Sequence, residues 1–185
     1  MSSTLRLYYD DPTLLHFEAR VLACEPHADA HRVALDRSAF YPSSGGQPHD
    51  LGHLLVDGHL VAVTDVVVDD DEETVWHRVD QAVAPGTTVS AAIDAGRRHD
   101  FRQQHSGQHI LSASFDALFE ARTASVHLGL DACTLDLHRE VSVEECRRAE
   151  DHANVVVWED RPVGIRYADA ADLVNEPRLR KQTAR

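Results

Sequence analysis

Thr87-Thr88-Val89-Ser90-Ala91-Ala92-Ile93 runs directly into Asp94-Ala95-Gly96-Arg97-Arg98-His99-Asp100-Phe101-Arg102-Gln103-Gln104-His105-Ser106-Gly107-Gln108-His109-Ile110-Leu111, and the residue pattern changes at Asp94. Before Asp94 the residues are strand formers. Asp94 itself is a good helix cap, although Gly96 weakens the first turn. From Arg97 to about Glu120, apolar side chains fall at Phe101, Ile110, Leu111, Phe115, Leu118 and Phe119. That spacing predicts one buried stripe on a helix of about six turns, with His105 falling on the stripe.

Upstream of this junction the pattern is short and β-like. Leu5-Arg6-Leu7-Tyr8-Tyr9 precedes an Asp-Asp-Pro turn, and Leu14–Cys24 and Arg32–Leu35 are rich in strand formers. Leu54–Val56 and Leu60–Val63 flank Asp57-Gly58, a strong hairpin signal. An acidic run from Asp69 to Glu73 reads as a loop before the strand Thr74–Arg78. Frequent turns between short strands predict a small barrel or sandwich.

Downstream, Ser125–Leu130 and Cys133–Leu137 read as two strands meeting at Gly129–Asp131. Ser142 with Glu145 three residues on is a capping box, opening a helix to about Val156. Arg161–Tyr167 is expected to be a final strand, with Pro162 tolerated near its start. The fold class is therefore α+β: a β half over residues 1–94, barrel or sandwich, followed by a two-layer α/β unit over residues 95–185.

Composition bounds the function. The chain has 185 residues, 43% of them hydrophobic, and no apolar run approaching the ~20 residues that cross a bilayer. Three cysteines at irregular spacing (Cys24, Cys133, Cys146) argue against a disulfide framework, so a reducing, cytoplasmic compartment is expected. The net charge of −13 opposes nucleic-acid binding, yet it is uneven. Residues 1–95 carry a net of −11 and residues 96–185 only −2. In the second half Arg97, Arg98 and Arg102 form one basic cluster, and Arg178, Arg180, Lys181 and Arg185 another.

The sharpest chemical candidate is His105-x-x-x-His109. Two histidines four apart on a helix lie one turn apart and can reach one cation, and imidazole suits Zn²⁺. With 13 histidines, about one such spacing is expected by chance. His27/His31 and His49/His53 share it, but they lie in β or turning segments that do not stack side chains in this way. Zinc needs further ligands; Cys133, His127 and His138 are near in sequence, and no spacing singles one out. Phe40-Tyr41-Pro42-Ser43-Ser44-Gly45-Gly46-Gln47-Pro48 is the second feature, a backbone able to approach another surface closely.

Several blocks in order resemble the alanyl-tRNA editing proteins of the AlaX type and the editing domain of alanyl-tRNA synthetase. They are Phe40–Pro48 with Asp50 and Gly52, Arg98–Arg102 with His105–Ser112, Ser125–Gly129 with Cys133–Leu137, Asn154–Pro162, and Leu179-Arg180-Lys181. The resemblance implies a translation-factor-type barrel joined to a two-layer editing domain. It implies ATP-independent hydrolysis of the ester joining serine or glycine to tRNA(Ala), with mischarged tRNA as the partner.

The same resemblance makes His105 and His109 the first two of four zinc ligands. Ser43, Ser44, Gly45, Gly46, Gln47, Arg98 and Arg102 are expected to bind substrate, and His127 to orient water or a ribose hydroxyl. The family's other two ligands come from a Cys-x-x-x-His after the Leu-Arg-Lys block, whereas this chain ends four residues after Lys181. The expectation is thus an editing unit truncated at its C-terminus with half its zinc ligands. The alternative is a non-catalytic relative that binds tRNA or a synthetase.

Overall fold

A computed structural model describes residues 3–69 and 73–165 of the protein. Among the described residues ten strands and two α-helices follow in order: β1 Leu5–Arg6, β2 His16–His27, β3 Ala30–Leu35, β4 Arg37–Ser38, β5 Gly52–Val56, β6 His59–Val68, β7 Val75–Val79, β8 Thr88–Ile93, α1 Ala95–Phe119, β9 Thr123–His127, β10 Thr134–Leu137 and α2 Val143–Trp158.

Six of the strands close an antiparallel barrel in the order β2-β3-β7-β6-β5-β8. Alternating residues fill it: Val21, Val33, Leu35, Leu54, Val63, Val66, Val75, Val79 and Val89 are all buried. Valine dominates because a β-branched side chain packs well on a pleated surface. The Asp57-Gly58 hairpin forms as expected, both residues having positive φ (48° and 83°). Register shifts in β2 near Val21 and in β6 near Val63 supply the bends that closure requires.

Two expected strands differ. Leu5–Tyr9 is extended only at Leu5–Arg6; Leu7–Tyr9 winds into a 3-10 turn, because the amides of Asp10 and Asp11 both bond back to the Leu7 carbonyl. That turn buries Tyr8 edge-on to Tyr41, with ring centroids 5.2 Å apart. The final strand expected over Arg161–Tyr167 is absent from its described part: residues 161–165 are irregular and exposed. The rest of that segment and the Leu179-Arg180-Lys181 block lie outside the described residues.

After the barrel, Asp94 caps α1 by accepting a hydrogen bond from the Arg97 amide at 3.0 Å. β9 and β10 form a hairpin, and α2 opens on the expected capping box. The Ser142 amide donates to Glu145 at 2.7 Å, and the Glu145 amide donates back to Ser142 Oγ at 3.2 Å. The Arg139 guanidinium, and after it the Ser142 amide, hold the Glu145 carboxyl down at about 2. Phe115, Ala121 and Ala149 make a small second core, joined by Leu111, Phe119, Leu135 and Leu137. The protein is therefore a mixed α+β fold with a small closed barrel, one of the two architectures the strand pattern allowed and the one the family resemblance implied.

His77 is a polar residue in the barrel core, fully buried. Its Nε2 lies 2.8 Å from Ser38 Oγ and its Nδ1 3.2 Å from the Val33 carbonyl. Nδ1 must donate to the carbonyl, and because full burial disfavours a charged ring, Nε2 is the unprotonated nitrogen and accepts from the serine. Burial pushes its pKa down from 6.5 to about 4, only partly opposed by the Val33 bond. Above pH 6.5 the folded and unfolded states bind the same number of protons here. As the pH falls from 6.5 towards 4, only the unfolded ring gains one. This residue alone should remove about 3 kcal/mol of stability across that window. Urea unfolding at stepped pH measures it: wild type should show a steeper acid slope than His77→Gln, and identical slopes would remove the assignment.

Candidate functional site

A cleft of about 720 Å³ lies between α1, the loop 41–45 and the β9 segment 122–126. Helix α1 contributes His105, His109, Ser112 and Asp116, spaced i, i+4, i+7 and i+11. That spacing is one helical face, a polar stripe running beside the apolar one. His105 belongs to this polar face and not to the apolar stripe expected from the helical spacing.

The two imidazoles converge. His105 Nε2 and His109 Nε2 are 3.0 Å apart, with ring centroids separated by 4.9 Å. Two nitrogens on one tetrahedral zinc would stand about 3.3 Å apart, given Zn–N bonds of about 2.0–2.1 Å. The pair therefore fits two positions of a zinc site. Among the described residues no group of three or more His, Cys, Asp or Glu gathers to complete one. The Cys133 thiol donates to Gln104 Oε1 at 2.8 Å, and His138 Nδ1 accepts the Arg122 amide at 2.9 Å.

Opposite the helix lies the glycine-rich segment. Ser44 and Gln47 exchange backbone hydrogen bonds, closing a turn in which Gly45 and Gly46 both have positive φ (59° and 83°). A Cβ on Gly46 would stand 2.3 Å from the Val126 carbonyl oxygen, which no side chain survives. The Gly46 carbonyl accepts the Leu128 amide at 2.9 Å, so the turn is laid flat along β9. Gln47 is buried there, and its Oε1 lies 2.6 Å from His105 Nδ1.

The residues expected to bind substrate separate into different places. Ser44 and Gly45 line the cleft, while Gln47 reaches His105 from behind. Ser43 Oγ lies 3.0 Å from His49 Nδ1, and Asp65 lies 3.1 Å from the same nitrogen. A nucleophile triad needs its serine and its acid on different ring nitrogens, so this trio only secures the loop. Arg102 is exposed on α1, and its charge adds only a minor part to the Thr13 hydrogen bonds that hold the Asp11 carboxyl down. His127 is exposed and is not among the cleft's lining residues. Strand alternation puts it with Ser125 and Asp136, on the face opposite Leu135, which packs into the second core.

Arg98 sits elsewhere than expected. It is 4% exposed, paired with an Asp50 that is 2% exposed, and its guanidinium also donates to the Pro12 carbonyl at 3.0 Å and the Ala39 carbonyl at 2.5 Å. Asp50 in turn accepts the Tyr41 amide, so this pair joins α1 to the start of the glycine-rich segment. Arg98 belongs to the scaffold. Arg122 went unnoticed in the sequence. Its backbone is pinned on both sides by His138, yet its side chain is 82% exposed at the cleft, 3.9 Å from Asp116. The i+11 spacing of Asp116 from His105 was available to find this end of the cleft.

Comparison with known proteins fits this arrangement. The profile of the family described as tRNA synthetases class II (A) matches residues 9–97, the barrel and the first turn of α1. The chain is 36% identical over 171 residues to alanine–tRNA ligase of Natronomonas pharaonis, covering 88% of this chain and 18% of the ligase. It is 36% identical over 169 residues to alanine–tRNA ligase of Pyrococcus furiosus, with the same coverage. It is 30% identical over 183 residues to the alanyl-tRNA editing protein AlaX-L of Pyrococcus horikoshii, covering 97% of this chain and 45% of that protein. The chain is thus similar over most of its length to an alanyl-tRNA editing protein and to part of the alanine–tRNA ligases. It spans less than half the length of these relatives, and each match is long enough to include the His105/His109 pair.

The scaffold role of Arg98 has a direct test. Arg98→Met leaves Asp50 charged and unpaired in the interior, a change that typically costs about 3–5 kcal/mol. Thermal unfolding should register a large loss, whereas Arg102→Met should leave stability nearly unchanged. Equal, small effects from both would return Arg98 to the surface.

Proposed function

We propose that the chain deacylates mischarged Ser-tRNA(Ala) or Gly-tRNA(Ala) in the cytoplasm, without ATP, using Zn²⁺ held in part by His105 and His109. The convergence of the two Nε2 atoms on one wall of the cleft is the observation that carries this reading. The named relatives support it: AlaX-L is an alanyl-tRNA editing protein, and the others are alanine–tRNA ligases. Bound zinc supplies Lewis acidity at the ester carbonyl and lowers the pKa of water.

The chain's own residues have the remaining tasks. Ser44 and Gly45 close the cleft over the aminoacyl group, with Gly45 leaving room for backbone approach. Ser112, whose Oγ accepts a hydrogen bond from Thr123 at 2.9 Å, adds a fixed polar group on the helix side. A water oxygen adds to the ester carbonyl carbon, and the ribose oxygen leaves with a proton. An aminoacyl ester is labile, so placement of the acceptor end does much of the work. Selection of serine over alanine comes from polar groups that stay unpaired when the hydroxyl is missing. Arg122 suits a backbone phosphate of the acceptor end, because guanidinium binds phosphate bidentately and this one is exposed at the cleft.

A second reading, a relative that binds tRNA or a synthetase without catalysis, draws on the incomplete ligand set among the described residues. Elemental analysis separates the two: stoichiometric zinc removed by His105→Ala supports the hydrolase, and metal-free protein that still binds tRNA supports the alternative.

Two outcomes are expected. With zinc, Ser-tRNA(Ala) should be deacylated faster than Ala-tRNA(Ala), and His105→Ala or His109→Ala should abolish the difference; equal rates for the two substrates reject the selectivity. Arg122→Ala should weaken tRNA binding and lower the slope of log affinity against log salt by about one. An unchanged slope removes Arg122 from the phosphate contacts.

A further inference from the structure

The hydrogen bond between Gln47 and His105 crosses from the barrel's glycine-rich turn to the helix, and it determines where His105 carries its proton. A glutamine Oε1 is an acceptor only, so at 2.6 Å it requires a hydrogen on His105 Nδ1. In a neutral imidazole the other nitrogen then holds a lone pair. That nitrogen, His105 Nε2, is the one 3.0 Å from His109 Nε2. The short contact between the two rings can form only if His109 supplies the hydrogen.

We propose that Gln47 is a positioning residue that locks His105 in the Nδ1–H tautomer, so that in the metal-free protein the two histidines are opposite tautomers, His105 protonated on Nδ1 and His109 on Nε2. Gln47 is well built for this. It is 7% exposed, its amide bonds to the Ser44 carbonyl at 2.9 Å, and its turn is held against β9 through Gly46. Its side chain therefore presents one acceptor from a fixed place. The result is a ring whose Nε2 always carries the lone pair, directed at the His109 Nε2–H in the metal-free protein and open to a cation once the His109 proton shifts to Nδ1. A cation there meets a ligand already in the required form, as histidine ligands generally are when a partner fixes their second nitrogen.

The tautomer assignment stands without the hydrolase reading; its consequence for metal affinity rests on that reading, and the experiment separates them. Histidine ¹⁵N–¹H correlation spectra of the metal-free wild-type protein, recorded well above the ordinary imidazole pKa, report each ring's tautomer. The expected result is an Nδ1–H signature for His105 and an Nε2–H signature for His109. Gln47→Glu keeps the acceptor and should keep the signature; Gln47→Leu should lose it while the barrel resonances persist. An Nε2–H signature for His105 in the wild type overturns the proposal whatever the variants do. Zinc titration forms the second arm: Gln47→Leu should bind about 10- to 100-fold more weakly, with Gln47→Glu rescuing. Normal zinc affinity in Gln47→Leu overturns the positioning role. No zinc binding by wild type with the expected tautomers defeats the hydrolase reading and leaves the lock intact.

Discussion

The Arg98–Asp50 pair is buried where the barrel meets the long helix, and the geometry of everything beyond it follows from that contact. Removing two charges from water is expensive, and their mutual attraction offsets it only when every remaining donor is satisfied. Here the arginine donors are distributed over Asp50 and the carbonyls of Pro12 and Ala39, while Asp50 also accepts from Tyr41. Arg98 and its partners come from three stretches of chain that are far apart in sequence: Pro12, Ala39 to Asp50, and Arg98 itself. The pair therefore sets the helix exit and the start of the glycine-rich segment together. An apolar plug would fill the same space without fixing that register.

From this anchor the two walls of the cleft are placed relative to each other. Helix α1 carries His105 about two turns and His109 about three turns beyond Arg98, and the segment from Tyr41 carries Gln47 to the height of His105. Gly46 lets the turn touch the Val126 carbonyl, so β9 forms the third side. The His105 ring is then held from behind by a barrel residue and faces a partner from its own helix. Neither wall alone would orient it.

Much of this was legible in the sequence. The Asp57-Gly58 turn, the Asp94 cap and the Ser142/Glu145 box are local signals, each decided by residues within a few positions, and each formed. The site was legible only in part, for reasons of geometry. Arg97, Arg98 and Arg102 read as one basic cluster, yet Arg97 and Arg98 are rotated by about 100°, and Arg98 and Arg102, which share a face one turn apart, differ because only Arg98 lies against the barrel. Arg97 lies over the Phe101 ring, Arg98 turns into the interior and Arg102 faces solvent. The Gln47–His105 bond spans 58 positions, and no local pattern encodes a contact of that range. The strand expected at Arg161 had β-like composition, but its described part has no neighbouring strand to pair with, and composition alone cannot supply one.

The two cores also differ in depth. Among the described residues sixteen hydrophobic side chains are buried together in the barrel, and three in the cluster formed by α1, α2 and the hairpin. Hydrophobic stabilisation scales with buried apolar area, so the barrel is the more stable part and the helical part opens more readily. The histidine pair sits on the weaker part but is gripped by the stronger one, through Gln47 and through the Arg98 anchor one helical segment earlier. A cleft assembled in this way holds its ligand-bearing wall to the barrel independently of α2, which is exposed along most of its length. Rigidity at the histidines therefore does not require a large core around them. It requires that the barrel loop and the helix be held to each other, and the buried ion pair does that.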